Sequence, residues 1–282
     1  SKSTCQSLLT VPYSFFHKNM LQLNKQSQGP CKRAGRGSNA VEQQRLDKII
    51  ASTGKWSRRE AKELVRRGLV TVNGAAALSV EEKFDPEEAA IHVNGEPLLF
   101  RRYTWVMLNK PAGFLSATED GRGKTVLELL PRDLQRQELF PVGRLDKDTE
   151  GLLLLTNEGG LAHALLSPKR HVDKVYYVRT SGRLTEEDCR AFAAGMSLAD
   201  GLQCLPAGLE ILTAGEESEA RVTLREGKFH QIKRMLAARG KPVAYLERVQ
   251  MGDLPLDPEL PRGAFRFLTE EEIAKLRALV EF

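Results

Sequence analysis

The segment from Val142 to Asn157 constrains this chain most. It runs Val142-Gly143-Arg144-Leu145-Asp146-Lys147-Asp148-Thr149-Glu150-Gly151 and then Leu152-Leu153-Leu154-Leu155-Thr156-Asn157. The leucine run is short enough for a buried strand and far below the ~18 apolar residues of a membrane span. The acid-rich segment ahead of it is therefore a loop that feeds into that strand. A second apolar stretch, Thr104-Trp105-Val106-Met107-Leu108, also reads as a buried strand and is followed by Asn109-Lys110-Pro111-Ala112-Gly113.

A chain of 282 residues corresponds to about two domains. Its 41% apolar and 28% charged residues are an ordinary soluble balance with enough material for a core. The net charge of +5 says little as a total, but it is sorted along the chain. Residues 1–41 hold six Lys/Arg and no acid, residues 44–80 carry +5, and residues 81–282 carry −5. Residues 1–43 are read as a disordered tail, with a short apolar patch from Leu8 to Phe16. Its basic, acid-free, hydroxyl-rich composition also resembles an organellar transit peptide, so organellar targeting stays open beside a cytoplasmic location. Cys5, Cys31, Cys189 and Cys204 show no metal-ligand spacing, which suggests reduced thiols and no metal site.

Residues 44–101 form a small basic module. Leu46, Ile49 and Ile50 share one side of a short helix, and Ser57 with Glu60 is a capping box that opens another. In that second helix Ala61, Leu64 and Val65 fall in one arc, and Arg58, Arg59, Lys62 and Arg66 in the next. Gly68 ends the helix, Leu69–Val72 reads as a strand, and Asn73-Gly74 makes a tight hairpin turn. Glu81 to Glu88 reads as a loop, and Ala90–Val93 with Asn94-Gly95 as a last hairpin. Four cations on one stripe suit a phosphate surface or, more plainly, a solvated helix face. The lines Arg45-Leu46-Asp47-Lys48, Ser57-Arg58-Arg59-Glu60-Ala61 and Gly68 to Gly74 resemble the small RNA-binding domain of ribosomal protein S4. That resemblance makes Arg45, Lys48, Arg58, Arg59, Lys62 and Arg66 candidate RNA contacts.

Three readings compete for the acid-rich loop. The spacing of Asp146, Asp148, Glu150 and Gly151 imitates a calcium loop, but the twelfth place is Asn157 and the seventh to tenth are leucines. Two carboxylates two residues apart could be a glycosidase pair, yet a loop does not fix the separation that such a pair needs. The third reading is one working carboxylate, Asp146, held ionised by flanking Arg144 and Lys147.

Two later segments join this loop. In Asp173–Val178 alternation puts Lys174 and Tyr176 on one face of a strand. From Leu224 the chain turns through Gly227 into a helix in which Ile232, Met235 and Leu236 face the core, with Lys233 and Arg234 outside that stripe. Between Arg225 and Arg248 there are seven bases and two acids. Taken alone, Tyr176 is equally a core tyrosine and Lys233-Arg234 a solvated pair, and His230 suits a structural hydrogen bond.

Together these segments resemble the RNA pseudouridine synthases, specifically the RsuA-like ribosomal RNA group with an S4-like domain, over about residues 44–282. The Gly143-Arg144-Leu145-Asp146 line carries most of that likeness. The resemblance implies that Asp146 is the essential catalytic Asp. It implies that Tyr176 packs on the target base, that Lys233 is the basic partner of Asp146, and that Arg144 holds the RNA open. Many relatives have Arg where Lys233 stands. It further implies isomerisation of a uridine in ribosomal RNA with no cofactor. The line from Glu226 to Met235 favours small-subunit over large-subunit RNA. A flipped base could stack on Tyr176 while cations around Arg225–Arg248, Arg234 among them, hold phosphates.

The expected fold is α+β: an S4-like domain over 44–101 and a catalytic domain over 102–282 with a mixed, largely antiparallel sheet. A capping box at Thr269 and Glu272 opens a C-terminal helix that docks through Ile273, Leu276, Leu279 and Val280. The expected partner is ribosomal RNA or a pre-ribosomal particle, with no membrane association, and the protein is expected to be a monomer. The rival from another class is a non-catalytic RNA-binding or ribosome-assembly protein, which would have no need of Arg144, Asp146, Tyr176 and Lys233 as a set.

Overall fold

A computed structural model of the chain describes residues 43–121 and 123–280. The expectations for the N-terminal tail therefore lie outside the described residues.

The basic module has its own hydrophobic cluster. Helices α1 (Leu46–Ser52) and α2 (Arg58–Arg66) turn Leu46, Ile49, Ile50, Ala61, Leu64 and Val65 onto it. The capping box at α2 is formed, with Ser57 N–H donating to Glu60 Oε2 at 2.6 Å and Glu60 N–H to Ser57 Oγ at 3.2 Å. Strands β2 (Val70–Val72), β3 (Ala75–Ala76), β5 (Ile91–Val93) and β6 (Glu96–Pro97) pair in the order β3-β2-β5-β6. Both hairpins turn on an Asn-Gly pair at positive φ, Asn73 at 52° with Gly74 at 83° and Asn94 at 54° with Gly95 at 79°.

One expectation is corrected here. The segment Glu81–Glu88 is not all loop, because β4 (Lys83–Phe84) pairs antiparallel with β1 (Gln44–Arg45). The reason is helix-end chemistry: the N–H groups of Leu46 and Asp47, which have no partner inside α1, donate to Glu82 O and Val80 O. A two-residue ribbon recruited for that purpose leaves no periodicity in sequence.

The larger sheet is built from β7 (Trp105–Lys110), β9 (Glu150–Thr156), β10 (Lys174–Ser181), β13 (Gly208–Thr213), β14 (Glu217–Leu224), β15 (Val243–Met251) and β17 (Phe265–Phe267). Their order across it is β13-β14-β10-β15-β9-β7-β17, with β8 (Phe140–Pro141) on β9 and β16 (Leu254–Pro255) on β15. A separate ribbon joins β11 (Met196–Ser197) to β12 (Gln203–Cys204). Every pairing of the sheet is antiparallel except β15 with β9, which run parallel through Glu247↔Glu150 and Arg248↔Gly151. The helices here are α3 (Arg132–Gln135), α4 (Gly159–Leu166), α5 (Glu186–Ala194), α6 (Gln231–Ala238) and α7 (Glu270–Ala278).

The leucine run is buried because the sheet is covered on both faces. Leu153 and Leu155 join one cluster with Val106, Leu108, Tyr176 and, from α6, Ile232, Met235 and Leu236. Leu152 and Leu154 join a second cluster with Trp105, Met107, Met251 and, from the C-terminal segment, Leu276 and Val280. Each of these fully buried leucines contributes roughly 1.5–3 kcal/mol. Among the described residues no helix is long and apolar enough to cross a membrane.

Candidate active site

The loop before β9 is held from below by a lysine. Lys110, at the end of β7, is fully buried, and its Nζ donates to the carbonyls of Thr149 (2.7 Å), Pro111 (3.1 Å), Asp146 (3.1 Å) and Lys147 (3.2 Å). Burial pushes this ammonium down to about 8, against the upward pull of Glu150, Asp148 and Asp146. From the side, Ser116 Oγ donates to Leu145 O at 3.0 Å and accepts from Leu145 N–H at 3.1 Å. Leu145 itself is buried in the cluster that holds Tyr176, so the residue before Asp146 anchors the loop on the core.

Asp146 is thus set at the mouth of the sheet with a 24% exposed side chain. Its Oδ2 lies 3.1 Å from Lys233 Nζ and its Oδ1 3.5 Å from His230 Nε2. Lys233 also meets Asp148 Oδ1 at 2.6 Å. Burial would lower the Lys233 ammonium, but its hydrogen bonds to Asp148 and Asp146 outweigh that and raise it. The Lys233 hydrogen bond likewise holds Asp148 below the usual carboxylate range.

This corrects the expectation that Arg144 and Lys147 compensate Asp146. Both are exposed, and the ion-pair partners of Asp146 among the described residues come from the start of α6 instead. Neighbours on a tight loop point different ways, whereas a helix end can aim at a fixed carboxylate. His230, read from sequence as a structural hydrogen-bonding group, lies against Asp146. It adopts a left-handed backbone (φ 50°) as the N-cap of α6, a conformation that sequence alone does not announce.

Tyr176 is buried on β10, directly across the ladder from Val222 on β14 and Arg248 on β15. Sequence reasoning missed what lies beside it. Arg248 is 2% exposed; its Nε donates to Leu152 O at 2.8 Å, and its Nη2 is buried with no hydrogen-bond partner. Lys174 donates to Val172 O at 3.1 Å, and burial, reinforced by the charge of Arg248, pushes its ammonium down to about 8. The alternation that turned Lys174 inward was a signal; for Arg248 no local pattern distinguished it from an exposed cation. A cleft of about 340 Å³ opens beside Asp148 and Lys233, walled by Val243, Tyr245 and Leu246. It lies where β15 has not yet met β9.

The family described as RNA pseudouridylate synthase matches residues 104–238, and the S4 domain matches residues 44–89. An uncharacterized RNA pseudouridine synthase of Bacillus subtilis is 47% identical over 230 residues, covering 81% of this chain and 96% of that protein. The chain belongs to the RNA pseudouridine synthases. Two proteins named ribosomal small subunit pseudouridine synthase A resemble this synthase over nearly their whole length. The one from Pseudomonas aeruginosa is 41% identical (82% of this chain, 100% of that one), and the one from Vibrio vulnificus 38% (81% and 97%). A solved pseudouridylate synthase structure superposes with a TM-score of 0.59 at 36% identity, covering 82% of this chain and 99% of that one.

The cations of the synthase divide into engaged and free. Arg45 pairs with Asp47 (3.1 Å) and Glu81 (3.4 Å), Arg66 with Glu63 (2.8 Å), and Arg234 with Asp200. These three expected RNA contacts are therefore engaged within the protein. Most of the basic run from Arg225 to Arg248 is likewise paired inside the chain: Arg225 meets Asp173, Lys228 meets Glu226, and Arg239 and Lys241 meet Asp188, while Arg248 has no ion pair among the described residues. Asp173, Asp188 and Asp200 lie well before the run in sequence and so were invisible to a local count. Lys48, Arg58, Arg59 and Lys62 are exposed with no ion pair among the described residues. Among the described residues no cluster of three or more His, Cys, Asp or Glu side chains could hold a metal ion.

Proposed function

We propose that this synthase isomerises one uridine of small-subunit ribosomal RNA to pseudouridine, with Asp146 as the catalytic carboxylate. The observation that carries the reading is the Asp146–Lys233 pair, 3.1 Å apart, with Lys233 also lining the cleft. The small-subunit preference is supported by the names of the two full-length relatives from Pseudomonas and Vibrio.

The reaction breaks the N1–C1′ glycosidic bond, turns the uracil, and forms a C5–C1′ bond. The C5 proton is lost and N1 gains one, so no electrons leave the system. An ionised Asp146 can attack C1′ or C6, or assist departure of the base. The reacting atoms are inaccessible inside a stack, so the nucleotide has to leave it. Tyr176 would then pack on the extruded base, and exposed Arg144 would fill its place in the RNA. Lys233, 3.1 Å away, would pair with the Asp146 carboxylate whenever it is ionised. Lys48, Arg58, Arg59 and Lys62 would bind the phosphates of ribosomal RNA or a pre-ribosomal particle. With Cys189 and Cys204 free, the cytoplasm is the compartment we assign to this activity.

The test is tritium release from [5-³H]uridine-labelled ribosomal RNA. Asp146→Asn and Asp146→Ala should release none while still binding RNA. Full activity in either variant overturns the assignment, and release of free uracil would point to a glycosidase.

A further inference from the structure

Phe229 takes no part in the chemistry above, yet it stands beside it. The side chain is 74% exposed. Its ring lies 3.8 Å from the ring of His230 with the planes 18° apart, and His230 Nε2 faces Asp146 Oδ1 at 3.5 Å. One face of Phe229 is therefore covered by an imidazole next to the carboxylate, and the other is open. The turn that displays it is tied at both ends: Lys228 N–H donates to Gln231 Oε1 at 3.1 Å, and Gln231 Nε2 donates to Glu226 Oε1 at 2.6 Å. The left-handed backbone at His230 sets the two rings at the start of α6.

A pre-set aromatic with one free face is what a nucleobase stacks on. The His230 and Phe229 rings are already stacked, so a base added to the open face would extend the same stack. The surroundings suit RNA: Arg144 and Lys147, on the Asp146 loop, are exposed and have no acid partner among the described residues. We propose that Phe229 is the platform on which a nucleobase next to the target uridine stacks while that uridine occupies the Asp146 site. The proposal rests on the reading of Asp146 as the reaction centre. Stacking on a phenyl face is tolerant of base identity, so Phe229 would hold the strand in place more than read its sequence.

The test combines substitution with cross-linking, using transcripts of both ribosomal RNAs labelled with [5-³H]uridine. Phe229→Ala should raise KM on the order of ten-fold with kcat kept within about two-fold, because base–aromatic stacking is removed while the reacting groups stay. Phe229→Tyr and Phe229→Trp should restore KM. A benzoylphenylalanine placed at position 229 should cross-link to RNA within about two nucleotides of the pseudouridine formed, since a stacked base touches the ring. Parental KM in Phe229→Ala, or a defect that neither aromatic repairs, overturns the platform. So does a cross-link confined to protein or to remote RNA. An active Asp146→Asn variant would instead overturn the reading of the reaction centre, and the cross-link from position 229 in the protein with Asp146 intact separates the two failures.

Discussion

Asp146 draws its environment from three directions. Its backbone carbonyl is pinned by buried Lys110, its predecessor Leu145 is packed in the core, and its carboxylate is met by Lys233 and His230. Tyr176 lies across the ladder from Arg248, and Arg248 and Lys174 are two buried cations with no ion pair among the described residues. The cost of keeping Lys174 charged in the fold has a pH signature. Its folded value, about 8, lies below the ordinary lysine value of 10.5. Between those two values the unfolded chain holds a proton that the folded chain has released, so this group makes stability rise with pH across that window. Below about 8 the cost of the buried charge is fully present. Urea midpoints of the parent should therefore gain more between about pH 7.5 and 9.5 than those of Lys174→Met, in which the rise should be smaller; equal slopes would show that Lys174 keeps its proton in the fold as it does in the unfolded chain. The identities of Asp146, Tyr176 and Lys233 were legible in sequence. The contacts of Lys110 and His230 with Asp146 and the burial of Arg248 were not, because such contacts depend on which side chains converge and not on which are neighbours.

Gly151 shows how one residue shapes an element. It sits at φ +94°, and a Cβ there would meet Arg248 O at 2.3 Å and Glu247 Cγ at 2.7 Å. That close approach lets β15 pair in parallel with the start of β9, at the point where the Asp146 loop ends. Gly151→Ala should cost about 2 kcal/mol or more of unfolding free energy, from the disfavoured backbone region and the displaced strand together. It should also lower turnover by moving β15 away from the loop. Chemical denaturation and tritium release on the same preparation would check both effects. A variant of parental stability would mean that β15 can slide without penalty. The strand β9 was readable from its apolar run, and α6 from its helical spacing. The parallel pairing was not, since it joins segments remote in sequence through backbone atoms that carry no sequence pattern.

Among the described residues, exposed cations without an ion pair include Lys48, Arg58, Arg59 and Lys62 on the basic module and Arg144 and Lys147 on the Asp146 loop. A bridge connects the module to the larger sheet. Gln137 Nε2 donates to Thr53 O at 2.9 Å, and Thr104 Oγ1 donates to Gln137 Oε1 at 2.7 Å. Substituting Arg58, Arg59 and Lys62 together by alanine should leave stability unchanged, because all three are exposed and make no ion pair among the described residues. It should weaken RNA binding and reduce the slope of log K against log salt by about one for each phosphate no longer neutralised. Turnover at saturating RNA should stay near parental. Filter binding over a salt series would measure this, and an unchanged slope would leave the stripe as an ordinary solvated helix face.

Much of the protein is written in short stretches of its chain: the elements themselves and the residue types that carry the chemistry. Apolar runs marked β7 and β9, capping boxes opened α2 and α7, Asn-Gly pairs turned the hairpins, and the segment Gly143 to Gly151 singled out Asp146. These signals are local, set by periodicity and by the conformational preferences of a few residues. Which charges cancel emerged only once the chain was folded. Folding tied most of the basic run of Arg225–Arg248, an expected phosphate surface, into ion pairs within the chain, and it brought His230 to Asp146 and its ring against Phe229. The reason is physical: a Coulomb partner or a stacking face acts through distance in space, and that distance is set when strands remote in sequence come together in one sheet.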